Sequence, residues 1–426
     1  MGLDEAHVNS YYAASMNAGR DYPELEGSLR TDVALVGGGF TGLNAAMELV
    51  LRGYSVALVE ARHIGFGCSG RNGGQVISGI AAYDRLLRQL GETGARTAWQ
   101  MGVEGMQIVQ GRIRQYAIEC DLKFGYFNVA CTRRQMRGLL ATRALEDALG
   151  YPFPVSVIEK KDLPSVIGSD RYVGGVFDSG SGHLHPLNLC RGEARAAEAL
   201  GVRIFERSPV TRIEDHATPR VHTARGRVEA EYIVVAGDAY LGGLVRELSP
   251  YILPAASYII ATQPLAPELA SRILPRDCAV SDENTLLDYF RLSADKRLLF
   301  GGRCNHTGRV PKDITGALRP RMLRVFPQLQ DIGIDYEWGG TVAISLKRIP
   351  QLGRLRGNIF YAQGYSGHGI VATHVAGRLL AEVISGHAER YDLLSRIRHW
   401  RLPGGKWFAT PALAIAMTYY RLKDLL

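Results

Sequence analysis

The stretch DVALVGGGFTG, Asp32 to Gly42, decides the fold. Asp32 to Val36 is a short apolar, β-branched run with the pattern of a buried strand. Gly37, Gly39 and Gly42 follow on the G-x-G-x-x-G spacing, and Leu43 to Arg52 reads as an amphipathic helix that Gly53 stops. Tyr54 to Glu60 is a second strand, and it ends in an acid. Gly37 permits the tight turn, Gly39 lets the backbone approach a pyrophosphate, and Gly42 lets helix and strand pack closely. The helix N-terminus adds free N–H groups and the positive end of its dipole. An acid about 20 residues further on is placed to accept hydrogen bonds from a ribose. Strand, glycines, helix, strand and acid in this order predict a Rossmann-like dinucleotide site. An ordinary βαβ unit that binds nothing is the weaker alternative, and the motif does not separate NAD from FAD.

Directly after the acidic strand end comes GFGCSGRNGGQ, Gly65 to Gln75. So much glycine and small polar side chain suits a loop that wraps a ligand with backbone N–H groups and with Ser69, Arg71, Asn72 and Gln75. A loop lying open on the surface is the alternative. The 426 residues exceed one simple domain, and 46% hydrophobic with 22% charged residues is a globular composition. No apolar run reaches the length of a membrane span, and the N-terminus lacks the basic-then-apolar layout of a signal peptide, so the expected compartment is the cytoplasm. Six cysteines without a C-x-x-C pair read as scattered thiols, with no disulfide framework and no metal site expected. The net charge of +8 is spread along the chain without a basic block, which favours an anionic small molecule or a solvated surface over nucleic acid.

Along the chain, residues 1–30 form an arm before the first strand. Helical spacing marks Tyr83 to Cys120, Arg133 to Leu149, Leu187 to Leu200, Leu318 to Leu329 and Gly369 to Ile384. Strand patterns mark Lys123–Thr132, Tyr172–Asp178, Val202–Glu206, Val210–Ile213, Val228–Ala236, Ala255–Thr262, Leu287–Leu292, Leu298–Gly302, Ile334–Ile344 and Asn358–Gln363. Alternation in the later runs suits an antiparallel sheet with one wet face. Pro411 to Leu426 reads as an apolar-rich terminal helix that docks on the core, with a membrane or partner surface as the alternative.

The Gly37–Glu60 unit, the SGRNGGQ loop and the C-terminal YAQGYSGHG together resemble the D-amino-acid-oxidase superfamily of FAD enzymes. Within it the chain is most similar to the bacterial γ-glutamylputrescine oxidoreductase group, which the opening Ser10–Ser15 and closing Tyr419–Leu426 also fit. The resemblance implies an α/β fold with an α+β substrate part: a Rossmann-like FAD-binding domain (1–80, 181–250 and 345–426) and an interleaved antiparallel-sheet substrate domain (81–180 and 251–344). It also implies FAD contacts from Gly37, Gly39, Phe40, Thr41, Gly42, Glu60, Ala61, Arg62, Gly67, Ser69, Arg71, Asn72, Gly73, Gly74 and Gln75. Val210 falls by the adenine, and Ala236–Gly237 where the sheet closes on the dinucleotide. In the GYSGHG segment and just after it, Gly364, Gly367, His368, Gly369 and Ile370 come to the flavin. A helix starting there directs its dipole at the pyrimidine edge that becomes anionic on reduction. His368 adds positive charge or only caps the helix.

The implied reaction is oxidation of an amine: hydride passes from the carbon next to nitrogen to flavin, the imine is hydrolysed, and oxygen or another acceptor takes the electrons, oxygen giving peroxide. The amine must react as the neutral base, so no catalytic triad is expected. The sarcosine-oxidase-like branch carries a lysine two residues after GHG, where this chain has Val371, so a small N-methyl amino acid is disfavoured. No cysteine follows Cys304 and no histidine lies in Gly67–Gln75, which predicts non-covalent FAD. Tyr258, Tyr289, Arg291, Trp338, Tyr365 and His368 are the candidate substrate-site residues. Arg291 would bind a carboxylate or else lie on the wet sheet face; Trp338 would wall the pocket or else sit in the core. Lys347 and Arg348 read equally as turn residues or ligands, and His183 and His185 as structural. The competing readings are an N-substituted amino-acid oxidase, a respiratory flavin dehydrogenase serving a membrane quinone, and, last, an RNA-binding flavoprotein. The expected partners are a small amine and an electron acceptor, without nucleic acid or stable membrane insertion; the sequence does not set an oligomeric state.

Overall fold

The computed structural model describes residues 6–284, 286–305 and 313–401. Pro411–Leu426 and the Cys304 side chain lie outside the described residues.

One sheet is built around the opening strand, Gly27–Val36. Its spatial order is Gln351–Arg354, Ile359–Gln363, Gly226–Val235, Gly27–Val36, Val56–Val59, Arg203–Phe205. All but the first of these strands run parallel. Val33, Ala34, Leu35 and Val36 are buried, as a strand covered on both faces requires. The strand begins at Gly27, earlier than the apolar run implies, because Gly27 to Arg30 pair with Gly226 to Glu229 although they face solvent. A small hairpin, Arg212–Glu214 with Arg220–His222, extends Gly226–Val235 and leaves Val210 just ahead of it.

Helices Phe40–Val50 and Gly369–Ile384 cross beside this sheet, and the helical stretch Tyr83–Gln115, broken at left-handed Gly91 (φ +69°), lies against the second of them. Their crossing is set by Gly377, where a Cβ would stand 2.7 Å from the backbone nitrogen of Ala45. Buried Glu48 accepts from Arg52 Nη1 (2.6 Å) and Arg112 Nη2 (2.9 Å) and pairs with Arg378 (3.1 Å), so one carboxylate ties the three helices together. No helix of the described residues is long and apolar enough to cross a membrane.

The second sheet has the order Ile334–Ser345, Ile252–Thr262, Leu298–Asn305, Tyr289–Leu292, Ala279–Asp282, Lys123–Ala130, Gly174–His183, Gln75–Val76, with Val155–Glu159 also on Gly174–His183. It is antiparallel except where Ala279–Asp282 runs parallel to Lys123–Ala130, a departure from the purely antiparallel expectation. Those two strands are far apart in the chain, so no hairpin forces them to oppose. The helix expected over Leu318–Leu329 instead spans Ile314–Val325: Asp313 caps it by accepting from Gly316 N (2.6 Å), and the chain continues as a tighter turn, Pro327–Leu329. The N-terminal arm is wedged inward. Tyr12 is fully buried, its ring 4.9 Å from His185 and 5.2 Å from Trp338.

Candidate active site

At the carboxyl end of Gly27–Val36, Gly37 takes φ +116°, and a Cβ there would lie 2.8 Å from the Ala236 carbonyl oxygen. A Cβ on Gly42 would run into the Gly37 carbonyl. The helix that follows has no side-chain cap from Gly39 and no acid in its first turn. Its Phe40 N–H donates instead to Ser69 Oγ (3.0 Å), from the second loop. Glu60 accepts from Gly38 N (2.6 Å) and Arg62 N (2.9 Å), which braces the turn and leaves acceptor capacity over. Burial pushes the Glu60 carboxyl up, and those N–H groups oppose the shift. A close glycine turn, an uncapped helix start and an acid at the neighbouring strand end fit a dinucleotide.

The second loop is folded by its own residues. Asn72 donates to the carbonyls of Cys68 (3.0 Å) and Ser69 (2.9 Å) and accepts from Gly74 N (2.8 Å). Gln75 donates to Val280 O (3.0 Å). The amide groups of Asn72 and Gln75, expected to wrap a ligand, are therefore spent on holding the loop, and Ser69 on capping the helix. Arg71 lies over the Phe66 ring at 4.3 Å. The Tyr240 ring stands against Gly67.

Three of the expected substrate residues hold this same loop or the core behind it. Arg291 is buried and donates to Gly73 O (2.8 Å), Leu184 O (2.8 Å), Leu292 O (3.1 Å) and Tyr12 Oη (3.1 Å). Its guanidinium is thereby committed, and the expectation that it takes a substrate carboxylate is corrected. Buried Trp338 donates from Nε1 to Arg71 O (3.0 Å), so it is a core residue and a fastener of the loop. Tyr258 is 1% exposed within the second sheet's core and is corrected to a packing residue. Tyr289 is half-buried; its ring backs Gly73 and its hydroxyl meets Ser257 Oγ at 3.2 Å. His183 contacts Asp277 O through Nε2 (2.9 Å), and His185 accepts from Asn188 N (3.1 Å) at the start of helix Pro186–Ala199. Burial pushes both imidazoles down to about 3.

The GYSGHG segment joins strand Ile359–Gln363 to helix Gly369–Ile384. It turns through left-handed Gly364, Ser366 and Gly367, at φ +80°, +57° and +91°. Tyr365 Oη meets Thr41 Oγ1 at 2.8 Å in a buried contact, so the segment touches the start of the glycine-turn helix. Ser366 N donates to Ala343 O (2.9 Å), and Ser345 N to Ser366 Oγ (3.1 Å). His368 stands at the helix cap position, is exposed, and makes no cap hydrogen bond with its side chain. Gly369 is open and Ile370 is buried. Beneath, His374 and Glu193 form a fully buried pair (2.7 Å), with Asn44 donating to Glu193 (3.1 Å).

Sequence reasoning missed Asp238. It follows Ala236–Gly237, takes φ +44°, and accepts from Gly364 N (2.7 Å), tying the two strand ends together. The residue keeps some surface, but its carboxylate is enclosed; burial pushes it up to about 6 against the pull of the Gly364, Ala239 and Ala343 N–H groups. An acid just past the carboxyl end of a parallel strand was the available signal. Asp21, His63 and Glu206 also approach one another as metal ligands do, but Glu206 is engaged by the N–H groups of Tyr22 (3.2 Å) and Ile64 (2.6 Å).

Residues 32–383 match the family model of the DAO, FAD-dependent oxidoreductases. The chain belongs to that family. This flavoprotein is 42% identical over 423 residues to γ-glutamylputrescine oxidoreductase of Escherichia coli, with 99% of each chain covered. It is 40% identical to a probable oxidoreductase of Haemophilus influenzae, over 99% of this chain and 98% of that one. Its fold is that of glycine oxidase from Geobacillus kaustophilus, with a TM-score of 0.69 at 22% identity over 84% of this chain and 95% of that one. The glycine turn, the Gly65–Gln75 loop and GYSGHG thus converge in an FAD-dependent oxidoreductase, and all three lie within the matched span.

Proposed function

We propose that this flavoprotein oxidises a γ-glutamylated polyamine such as γ-glutamylputrescine, with FAD held non-covalently and oxygen as the electron acceptor. The observation that carries the reading is the 42% identity to the E. coli enzyme along 99% of both chains. Bound FAD would supply the two-electron acceptor for the amine carbon. On this reading the start of helix Phe40–Val50, Glu60 and Arg62 hold the dinucleotide, with Val210 and Ala236–Gly237 beside it. Gly364 to Ile370 hold the pyrimidine end, where the uncapped helix start opposes negative charge. Tyr289, Tyr365 and His368 remain the substrate-side candidates. The division into an FAD part (1–80, 181–250, 345–426) and a substrate part (81–180, 251–344) is supported by most of the two sheets' strands, but Gln75–Val76 and residues 181–183 belong to the second sheet and helix Tyr83–Gln115 packs on helix Gly369–Ile384. The amino-acid oxidase alternative loses its main support, because Arg291 is committed to backbone carbonyls and a tyrosine hydroxyl.

The test is a peroxide-coupled screen of the purified yellow protein with γ-glutamylputrescine, putrescine, sarcosine, iminodiacetate and D-amino acids. Peroxide release with γ-glutamylputrescine at a kcat/KM at least tenfold above the others is expected. Turnover on iminodiacetate alone would reject the substrate assignment. Flavin bleaching without peroxide would reject oxygen as acceptor.

A further inference from the structure

Beside the GYSGHG segment the described residues gather the cations Arg85, Lys347 and Arg348. Strand Ile334–Ser345 ends in a tight turn, closed by Arg348 N donating to Ser345 O (2.9 Å), with Arg348 itself at φ +50°. The turn is fastened to the segment through Ser345 and Ser366. It is fastened to the first turns of helix Tyr83–Gln115 by Lys347 Nζ donating to Gln89 Oε1. Arg85 lies one turn before Gln89 on the same helix. Burial first, and then the Arg348 charge, holds the Arg85 guanidinium below its usual range; burial of the ring, with the Arg348 and Arg85 charges behind it, lowers His368. Lys347 also lies 5.3 Å from the Trp400 ring centre and acts on His399. Asp84, which acts on Arg85, is also paired with Arg88 (2.8 Å). Among the described residues no carboxylate or carbonyl is hydrogen-bonded to either the Arg85 or the Arg348 guanidinium.

We propose that Arg85 and Arg348 form a subsite for the carboxylate at the end of the substrate remote from the amine that is oxidised. The inference rests on the reading above, in which the substrate carries a γ-glutamyl head with a free carboxylate. Like charges brought together with no hydrogen-bonded counter-ion among the described residues favour an anion, and guanidinium forks match a carboxylate's two oxygens. The helix and the turn that carry them are pinned to each other by Lys347 and Gln89. The same cations repel an ammonium, so the substrate enters with its head on the arginines and its reacting amine directed away. Arg291, the arginine the sequence singles out for a carboxylate, is committed elsewhere; among the described residues the Arg85 and Arg348 guanidinia donate no hydrogen bond.

Arg85→Gln and Arg348→Gln holoenzymes test this against two substrates and one non-reacting probe. For γ-glutamylputrescine KM should rise at least tenfold in each variant, while KM for putrescine, which has no carboxylate, moves less than twofold. Glutarate, titrated calorimetrically into the holoenzyme, should bind at least tenfold more weakly to both variants, with Arg348→Lys falling between. Equal KM changes for the two amines, or unaltered glutarate binding, would overturn the subsite. Should the unsubstituted protein fail to oxidise γ-glutamylputrescine, the functional reading falls, and the glutarate titration still decides the subsite.

Discussion

Asp238 has a pKa of about 6, raised from the ordinary 3.8 chiefly by burial. A raised acid pKa means the folded state prefers the protonated form. The stabilisation is complete below about pH 3.8 and is lost as pH rises through about 6. Asp238→Asn keeps an oxygen for Gly364 N and cannot titrate. Its stability relative to the unsubstituted protein should therefore climb between pH 4 and pH 7 by roughly 2–3 kcal/mol. Denaturation midpoints of both proteins at those two pH values measure it; parallel profiles would mean the carboxylate titrates alike in the folded and unfolded chain. At this scale the sequence was legible where backbone chemistry dictates the residue. Gly37 and Gly42 are placed by turn geometry and close approach, which a spacing encodes. Arg291 and Tyr258 are misread, and Trp338 takes the core alternative, because a strand pattern gives alternation without saying which sheet face is covered, and here the arm residue Tyr12 fills the space beside Trp338 and Arg291. Asp238 escaped because nothing local marks an acid whose partner lies in the segment after Gln363.

Elements with chemical punctuation were read to the residue. Helix Arg133–Leu149 starts at a Thr132–Gln135 capping box and stops at left-handed Gly150. Helix Gly369–Ile384 matches its expected span; the helix expected over Leu43 to Arg52 instead runs Phe40–Val50, and left-handed Gly53 (φ +88°) closes the turn that follows it. The short strands Val155–Glu159, Ala279–Asp282 and Gln351–Arg354 have no such marks. They exist because a neighbouring strand offers unpaired backbone, which is tertiary information. The crossing at Gly377 gives an element-level prediction. Gly377→Leu must push helix Gly369–Ile384 off Phe40–Val50, since the obstruction is Ala45 backbone and the Asn44 side chain. Overpacking of this kind costs about 1–3 kcal/mol. The same movement would part the helix starts that Thr41 and Tyr365 join, so FAD should be released at lower denaturant than the global midpoint. Coincident loss of flavin absorbance and helicity would refute that link.

Across the whole molecule, the two sheets are not independent bodies joined by a tether. Residues of the second sheet hold the Gly65–Gln75 loop, through Trp338 to Arg71 O and Arg291 to Gly73 O, while the same loop caps the first sheet's helix through Ser69. Cofactor binding at that loop should therefore stabilise both. FAD at 100 times its Kd should add about 2.7 kcal/mol to the stability of the apoprotein. Calorimetry should show one transition moving upward as a unit; a holoprotein melting in two steps, only one of them shifted by FAD, would contradict the coupling. The presence of the interleaved architecture was legible, because the glycine turn and GYSGHG stand at opposite ends of the chain yet must meet. Its fastenings were not, since each is a single side chain reaching a distant carbonyl.

The sheet order has a consequence for how the chain is made. Strand Gly27–Val36 is an early product of the ribosome, yet Gly226–Val235, its parallel neighbour, and then Ile359–Gln363 emerge far later. At ordinary translation speeds the first strand waits on the order of tens of seconds for the last of these partners. Through that interval its apolar backbone is an open edge, in need of shelter by a chaperone or by the nascent chain itself. On the proposed placement of the flavin at GYSGHG, acquisition of the cofactor belongs to the end of synthesis, once that segment has left the exit tunnel.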